Sequence, residues 1–299
     1  MNASVTLLES SLPASVHLHV DIDAAHASAP ILGTERAGSG TLVDSAGLIL
    51  TVQYIVLGAS GIQVTLLDGT TAPGKVVAQD FATGLAVVKV DGKRLPTARP
   101  TPSTVLEQGD EVFLLASAGD SARRVSTGAV SSLAPYDAYW EYRLERAITT
   151  TAMNPGLSGG AMFDRLGRMV GVVSLDLNEV GRFTLAIPVE YFLDHRDELL
   201  RHGRRTTRPP RAWVGVYCYT LQERLVIAGV LPGTPAERAG LKAGDVLLTV
   251  DGEDVRARDA LYHRLWEHRP GERIRCTVFR GDGVEDITIT AGDAELFFA

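Results

Sequence analysis

The stretch Asn154-Pro155-Gly156-Leu157-Ser158-Gly159-Gly160 sets a serine among glycines on a tight turn, and an apolar run from Ala161 follows it. A turn of this kind aims backbone amides at one spot, where they can stabilise an oxyanion while a hydroxyl attacks a carbonyl. The same residues also suit a turn that simply needs small side chains and positive φ. Outward from it, short apolar runs at 16–20, 40–43, 48–51, 62–67, 85–90, 111–115, 169–175 and 183–187 are punctuated by Asp68-Gly69, Asp91-Gly92 and Leu166-Gly167. Many short strands at close spacing predict an all-β barrel or sandwich. The Pro-rich stretch 94–103 separates two halves of similar size.

The remainder of the chain has a different character. Pro188 opens a predicted helix running to Leu200, with Phe192, Leu193, Leu199 and Leu200 on its apolar face and Gly203 past its end. Residues 201–211 (RHGRRTTRPPR) are basic, hold two prolines and show no apolar periodicity. They read as a linker, with an anion-binding patch as the alternative. A compact α+β domain follows. Its order is strand 213–218, strand 225–230, a turn at Pro232-Gly233-Thr234-Pro235, a short helix 236–239, strand 245–250, helix 257–268, and strands 273–280 and 284–290.

Length and composition bound the reading. The chain has 299 residues, which at roughly 150 per domain suggests about two domains. Hydrophobic residues make up 45% and charged residues 22%, which excludes global disorder and low complexity. A net charge of −7 argues against a nucleic-acid partner. Cys218 and Cys276 are predicted as reduced thiols on strands, with one bridge between them as the alternative. No run approaches 18 apolar residues, so no membrane span is expected. The N-terminal MNASVTLLESSLPASV lacks the features of a signal peptide. The expected location is therefore cytoplasmic, with a periplasmic or extracytoplasmic one if a leader has been removed.

A second segment, Gly38-Ser39-Gly40 leading into Gly47-Leu48-Ile49-Leu50-Thr51, joins the serine turn in a signature. Together they resemble the HtrA/DegP family of trypsin-like serine proteases. Leu66-Leu67-Asp68-Gly69, Lys75-Val76-Val77, Ala186-Ile187-Pro188 and the C-terminal domain fall in the expected order. The resemblance implies a mainly β protein: a trypsin-like double six-stranded β-barrel followed by a C-terminal α+β PDZ domain. The implied boundaries are 1–195 for the protease-like domain, 196–211 for the helix end and linker, 212–293 for the PDZ domain and 294–299 for an apolar tail.

The resemblance also exposes two losses. The family carries its histidine after the Leu-Thr strand end, where this chain has Leu50-Thr51-Val52-Gln53-Tyr54, so Tyr54 stands at the histidine position. The family aspartate precedes an Ile-Ala-Leu-Leu-Lys-like strand, and here Gly84 precedes Leu85-Ala86-Val87-Val88-Lys89. Only the nucleophile position, Ser158, matches, with Gly156, Leu157 and Ser158 supplying the implied oxyanion amides. None of the seven histidines lies between His26 and His195. Tyrosine, with an ordinary pKa near 10, is a poor base at neutral pH. The expectation is a pseudoprotease that acts as a peptide-binding scaffold, regulator or chaperone. The alternative is a residual serine hydrolase using Ser158 with an unconventional base. His17 and His19 alternate on one strand, a spacing that could begin a metal site, but no further ligand motif accompanies them; neither metal nor cofactor is expected.

For the second domain, the PDZ resemblance implies capture of an extended peptide as an added strand, with its terminal carboxylate held by backbone amides. The matching loop is Trp213, Val214, Gly215 and Val216. Leu261 and Leu265, at i, i+4 on the facing helix, would line the apolar pocket, and Trp213 would cover it. The expected partners are polypeptide segments or protein C-termini. The family further implies a homo-oligomer, guessed as a trimer, with an active paralogue as a conceivable co-subunit. The tail Glu295-Leu296-Phe297-Phe298-Ala299 either docks in a neighbouring subunit's groove or packs on its own domain.

Overall fold

A computed structural model describes residues 3–177 and 181–299 of the chain. They form two compact units: residues 3–135 with 145–177 and 181–206, and residues 136–144 with 207–299.

The first unit begins with helix α1 (Ala3–Ser11), which the sequence reading did not anticipate. Strands β1 (Ser15–Ile22), β2 (Glu35–Leu42), β3 (Leu48–Val52), β4 (Ala59–Thr65), β5 (Thr71–Asp80) and β6 (Leu85–Val90) close into a barrel in the order β1-β2-β3-β6-β5-β4. β1 buries Val16, Leu18 and Val20 on one face; Ser15 and His17 on the other are buried as well, and Asp21 is exposed. β3 reads Leu-Ile-Leu-Thr-Val and is buried along its whole length. Between β1 and β2 lies α2 (Ala29–Leu32), and α3 (Gln53–Val56) follows β3 directly.

The second barrel uses β8 (Glu111–Ser117), β9 (Arg123–Asp137), β10 (Arg143–Thr150), β11 (Ala161–Asp164), β12 (Arg168–Asp176) and β13 (Thr184–Pro188), with β7 (Arg99–Pro100) added parallel to β12 at the edge. Pairing of β11 with both β8 and β12 closes the ring. The expected pair of six-stranded barrels is therefore present. β9 was missed because it carries almost no apolar pattern; Val130 is its one fully buried position. Its strand state comes from partners, as in the continuous antiparallel register with β8.

The predicted helix from Pro188 to Leu200 is corrected. Pro188 ends β13, and two helices follow, α4 (Glu190–Leu193) and α5 (Arg196–His202). His195 leaves helical geometry between them (φ −122, ψ 11). This break lets Phe192 and Leu199 each be buried separately. Gly203, in the left-handed conformation, stops α5, and its carbonyl accepts from the Gln79 amide.

The second unit is a sheet in the order β14 (Val216–Leu221), β15 (Arg224–Val230), β16 (Val246–Val250), β18 (Arg273–Arg280) and β19 (Gly283–Thr290), with β17 (Glu253–Asp254) paired to β16. Helices α6 (Pro235–Arg238) and α7 (Arg258–Leu265) cover it, and α8 (Ala294–Phe297) ends the chain. Thr234 caps α6, and proline sits at its first turn, where a missing N–H costs nothing. Cys218 and Cys276 are free thiols buried in this core, and burial pushes them up to about 11 and about 12 respectively.

Candidate functional site

The Ser158 turn is held from both sides by backbone contacts. The Ser39 hydroxyl donates to the Leu157 carbonyl (2.6 Å) and accepts from the Ser117 amide (2.8 Å), while the Ser39 amide donates to the Ser158 carbonyl (2.7 Å). Thr51 fixes Ser39 in turn through a 2.8 Å bond to its carbonyl. The glycines answer to packing. A Cβ on Gly156 would lie 2.2 Å from the Ser117 carbonyl oxygen, and one on Gly160 would lie 2.3 Å from that of Leu115. Gly159 has φ +95, and a Cβ there would meet the Ser39 carbonyl oxygen at 2.1 Å. The three glycines are thus required by geometry whether or not chemistry occurs at Ser158.

Ser158 Oγ donates to the backbone carbonyl of Ser174 at 2.7 Å. The Tyr54 hydroxyl, from α3, donates to that same oxygen at 3.1 Å. A peptide carbonyl accepts a hydrogen bond but does not remove a proton at neutral pH. Burial raises the Tyr54 pKa above its ordinary value, with hydrogen bonds to Ser158 and Ser174 opposing it. Tyr54 therefore stays a phenol and fills the space beside the serine. Gly84 sits at φ +73, its amide donating to Asp80 and its carbonyl accepting from Gln53, the residue before Tyr54. It carries no side chain toward the site. Asp80, four residues earlier, spends its carboxylate on Thr83 Oγ1 (2.8 Å) and the Ala82 amide (2.9 Å).

The three implied oxyanion amides are not all turned one way. The Leu157 amide donates to the Ser117 carbonyl (2.8 Å), and the Gly156 amide meets Asn154 Oδ1 at 3.3 Å. The His26 ring is held by Ser28 Oγ (2.8 Å) and lies against Gly58. Of the two histidines on β1, His17 is buried with Nδ1 on Ser117 Oγ (2.9 Å), whereas His19 lies near Asp21 and Glu35. The sequence reading missed Ser174, whose carbonyl gathers both hydroxyls, and Asp176, whose charge acts on Tyr54.

In the second unit the amides of Val214, Gly215 and Val216 do converge, and a carboxylate occupies their focus. Glu141 Oε1 accepts from Gly215 (2.6 Å) and Val216 (3.1 Å), and Oε2 accepts from Val214 (2.9 Å). Residues 138–142 lie antiparallel to β14: Trp140 bridges Tyr217, the Cys218 amide donates to the Tyr139 carbonyl (2.7 Å), and Tyr262 of α7 donates to the Ala138 carbonyl (2.6 Å). Leu261 and Leu265 are buried on α7 within the same core as Val214 and Val216. Trp213 is not brought to the nest. Its backbone pairs with Gly292, and its ring packs against Phe297 (4.9 Å) and Phe298 (5.8 Å). The tail thus packs on its own domain. Glu141 had no usable signal: an aromatic pair followed by an acid, Tyr139-Trp140-Glu141, marks no function until the fold brings it to the amides.

Burial pushes the Glu141 carboxyl up to about 7, the three backbone hydrogen bonds opposing this.

These features define a trypsin-fold double barrel joined in one chain to a PDZ-like sheet domain. A family model for trypsin-like peptidase domains matches residues 38–172, and one for PDZ domains matches 212–291. The chain belongs to the HtrA family of serine proteases, with one PDZ domain. It is 32% identical over 274 residues to "Probable periplasmic serine endoprotease DegP-like" of Halomonas elongata, covering 86% of this chain and 56% of that one. It is 30% identical over 277 residues to HhoA of Synechocystis sp., covering 84% of this chain and 69% of that one. The chain therefore spans little more than half the length of its DegP-like relative. Among solved structures, the HtrA-type protease AlgW with tripeptide is similar at 27% identity and TM-score 0.60, covering 97% of this chain and 96% of that one. The serine endoprotease from Yersinia pestis is similar at 25% identity and TM-score 0.56, with 97% of each chain covered. No described helix is long and apolar enough to cross a membrane.

Proposed function

We propose that this protein is a catalytically inactive HtrA-family member that works as a peptide-binding scaffold through its PDZ groove. One observation carries the loss of hydrolysis: the Ser158 and Tyr54 hydroxyls both donate to the Ser174 carbonyl, so the nucleophile faces an acceptor that is no base. Loss of the histidine alone costs about 10⁶ in turnover in a well-characterised serine protease, and here the aspartate position is empty as well. The convergent amides of Val214, Gly215 and Val216 support the binding half of the reading. In the AlgW structure the related protein is seen with a tripeptide.

The partners on this reading are extended polypeptide segments or C-termini. Family membership supports a homo-oligomer, with a trimer as the form to test and mixed assembly with an active paralogue as its extension. The word "periplasmic" in the relatives' names favours an extracytoplasmic location over the cytoplasmic one expected from the N-terminal sequence, and cell fractionation distinguishes the two.

The competing reading is a residual hydrolase. Asp176 favours it, since its charge reaches Tyr54 and its pKa is raised by burial. Turnover of unfolded casein by the wild type and by Ser158→Ala is the test. The scaffold reading expects no cleavage by either. Cleavage that vanishes in Ser158→Ala overturns it, and Asp176→Asn then tests the substitute base.

A further inference from the structure

We propose that the segment 138–142 is a resident internal ligand of the PDZ groove, with the Glu141 side-chain carboxylate occupying the place of a peptide's terminal carboxylate, so that an outside peptide binds only by displacing it. This rests on the peptide-binding reading above and adds its regulation.

The geometry has three parts. First, a carboxylate with two acceptor oxygens meets three consecutive amides of one loop, at 2.6, 2.9 and 3.1 Å. Charge-assisted bonds to several backbone N–H groups are how a nest holds an anion. Second, the segment bonds β14 as an added strand does. Tyr139 supplies the carbonyl to the Cys218 amide and Trp140 bridges Tyr217, antiparallel to β14. Third, α7 holds the far side through the Tyr262 hydroxyl on the Ala138 carbonyl. A terminal peptide ends after its carboxylate; this one continues. The Ala138 amide donates to the Tyr142 carbonyl (2.9 Å), and Arg143 pairs with Asp137 (2.6 Å), closing a tight loop whose outermost acid reaches inward. Its contacts place this segment, which joins β9 to β10 in sequence, in the second unit.

The segment is tethered at both ends, so its effective concentration at the groove is high and independent of dilution. An outside peptide meets a site that is competent only in the fraction of molecules whose segment has left, and its apparent affinity falls by that fraction. The groove is thus reserved for ligands strong or abundant enough to compete with the resident acid. Because the resident presents a side-chain carboxylate on a turning chain, the amides also accept an internal acidic residue, not only a chain terminus.

The test uses the full chain in two measurements. Amide hydrogen exchange is followed at Val214, Gly215 and Val216 without peptide, in the wild type, in Glu141→Ala and in Glu141→Asp. The last keeps the charge but withdraws it by one methylene, and so guards against a failure of Glu141→Ala to fold. Affinity is then measured by fluorescence anisotropy for a fluorescein-labelled decapeptide ending Tyr-Trp-Val with a free carboxylate, and for its C-terminal amide. The expected results are exchange at least tenfold faster in the variants, and at least tenfold tighter binding of the free-carboxylate peptide by Glu141→Ala. Unchanged exchange in both variants, or peptide bound with equal measurable affinity by wild type and Glu141→Ala, overturns the internal ligand while leaving peptide binding intact. Faster exchange with no peptide bound by any form upholds the internal ligand and instead counts against the peptide-binding reading.

Discussion

Raising the pH from about 5 to about 8 is expected to loosen the 138–142 segment from the PDZ groove. Docked, the Glu141 carboxyl is pushed up to about 7 by burial, against an ordinary value of 4.5. Below 4.5 the group is neutral whether the segment is docked or free, and the full docking strength is present. Between 4.5 and 7 the free form ionises first, and docking weakens. Above 7 both forms are charged, and roughly 3 kcal/mol of docking free energy has been lost. Across the experimental window this amounts to somewhat under a hundredfold in the docking equilibrium.

Other titratable or charged groups lie near this carboxyl. Cys218 on β14 is held neutral by burial, with its thiol pushed up to about 11. Tyr262 on α7 is raised further still. Arg258 on α7, stacked over the Tyr139 ring at 5.3 Å, contributes positive charge. The assay is a ¹³C titration of the Glu141 carboxyl in the full chain, together with affinity for the labelled decapeptide at each pH. Wild-type affinity should strengthen with pH. Glu141→Gln, whose amide oxygen still accepts but does not titrate, should show a flat profile once the peptide's own terminal group is accounted for. A Glu141 midpoint near 4.5, or the same pH slope in Glu141→Gln, refutes the reasoning.

Ser39→Ala should lower stability by roughly 2–4 kcal/mol, because it strands the Ser117 amide and the Leu157 carbonyl together; a denaturant titration measures this. Tyr54→His combined with Gly84→Asp should give weak casein cleavage that depends on Ser158, while either change alone gives none. A histidine without its aspartate works about 10⁴-fold below a complete triad, and Asp at a φ of +73 costs about 1 kcal/mol of stability. Tyr262→Phe removes the bond to the Ala138 carbonyl, worth about 1 kcal/mol. It should tighten decapeptide binding about fivefold, read by fluorescence anisotropy.

The sequence by itself determined the class of fold and pointed to Ser158, Tyr54 and Gly84 as the positions to test. Short apolar runs bounded by turn residues fix strands such as β1, β3 and β6, which are buried along most of their length. The Ser158 turn is legible as a run of small residues before an apolar strand, and Tyr54 and Gly84 are placed by their steps from the ends of β3 and β6. The strand β9, nearly devoid of buried apolar side chains, and the break between α4 and α5 were not legible. Both depend on neighbours distant in sequence rather than on local pattern. Only the tertiary structure decided where hydrogen bonds go: that Ser158 and Tyr54 share the Ser174 carbonyl, that Leu157 turns its amide away, that Trp213 lies under the tail, and that Glu141 fills the nest. Glu141 is 74 residues from Gly215 along the chain. No periodicity links positions so far apart, and a carboxylate's partner is set by which amides the folded backbone points at it.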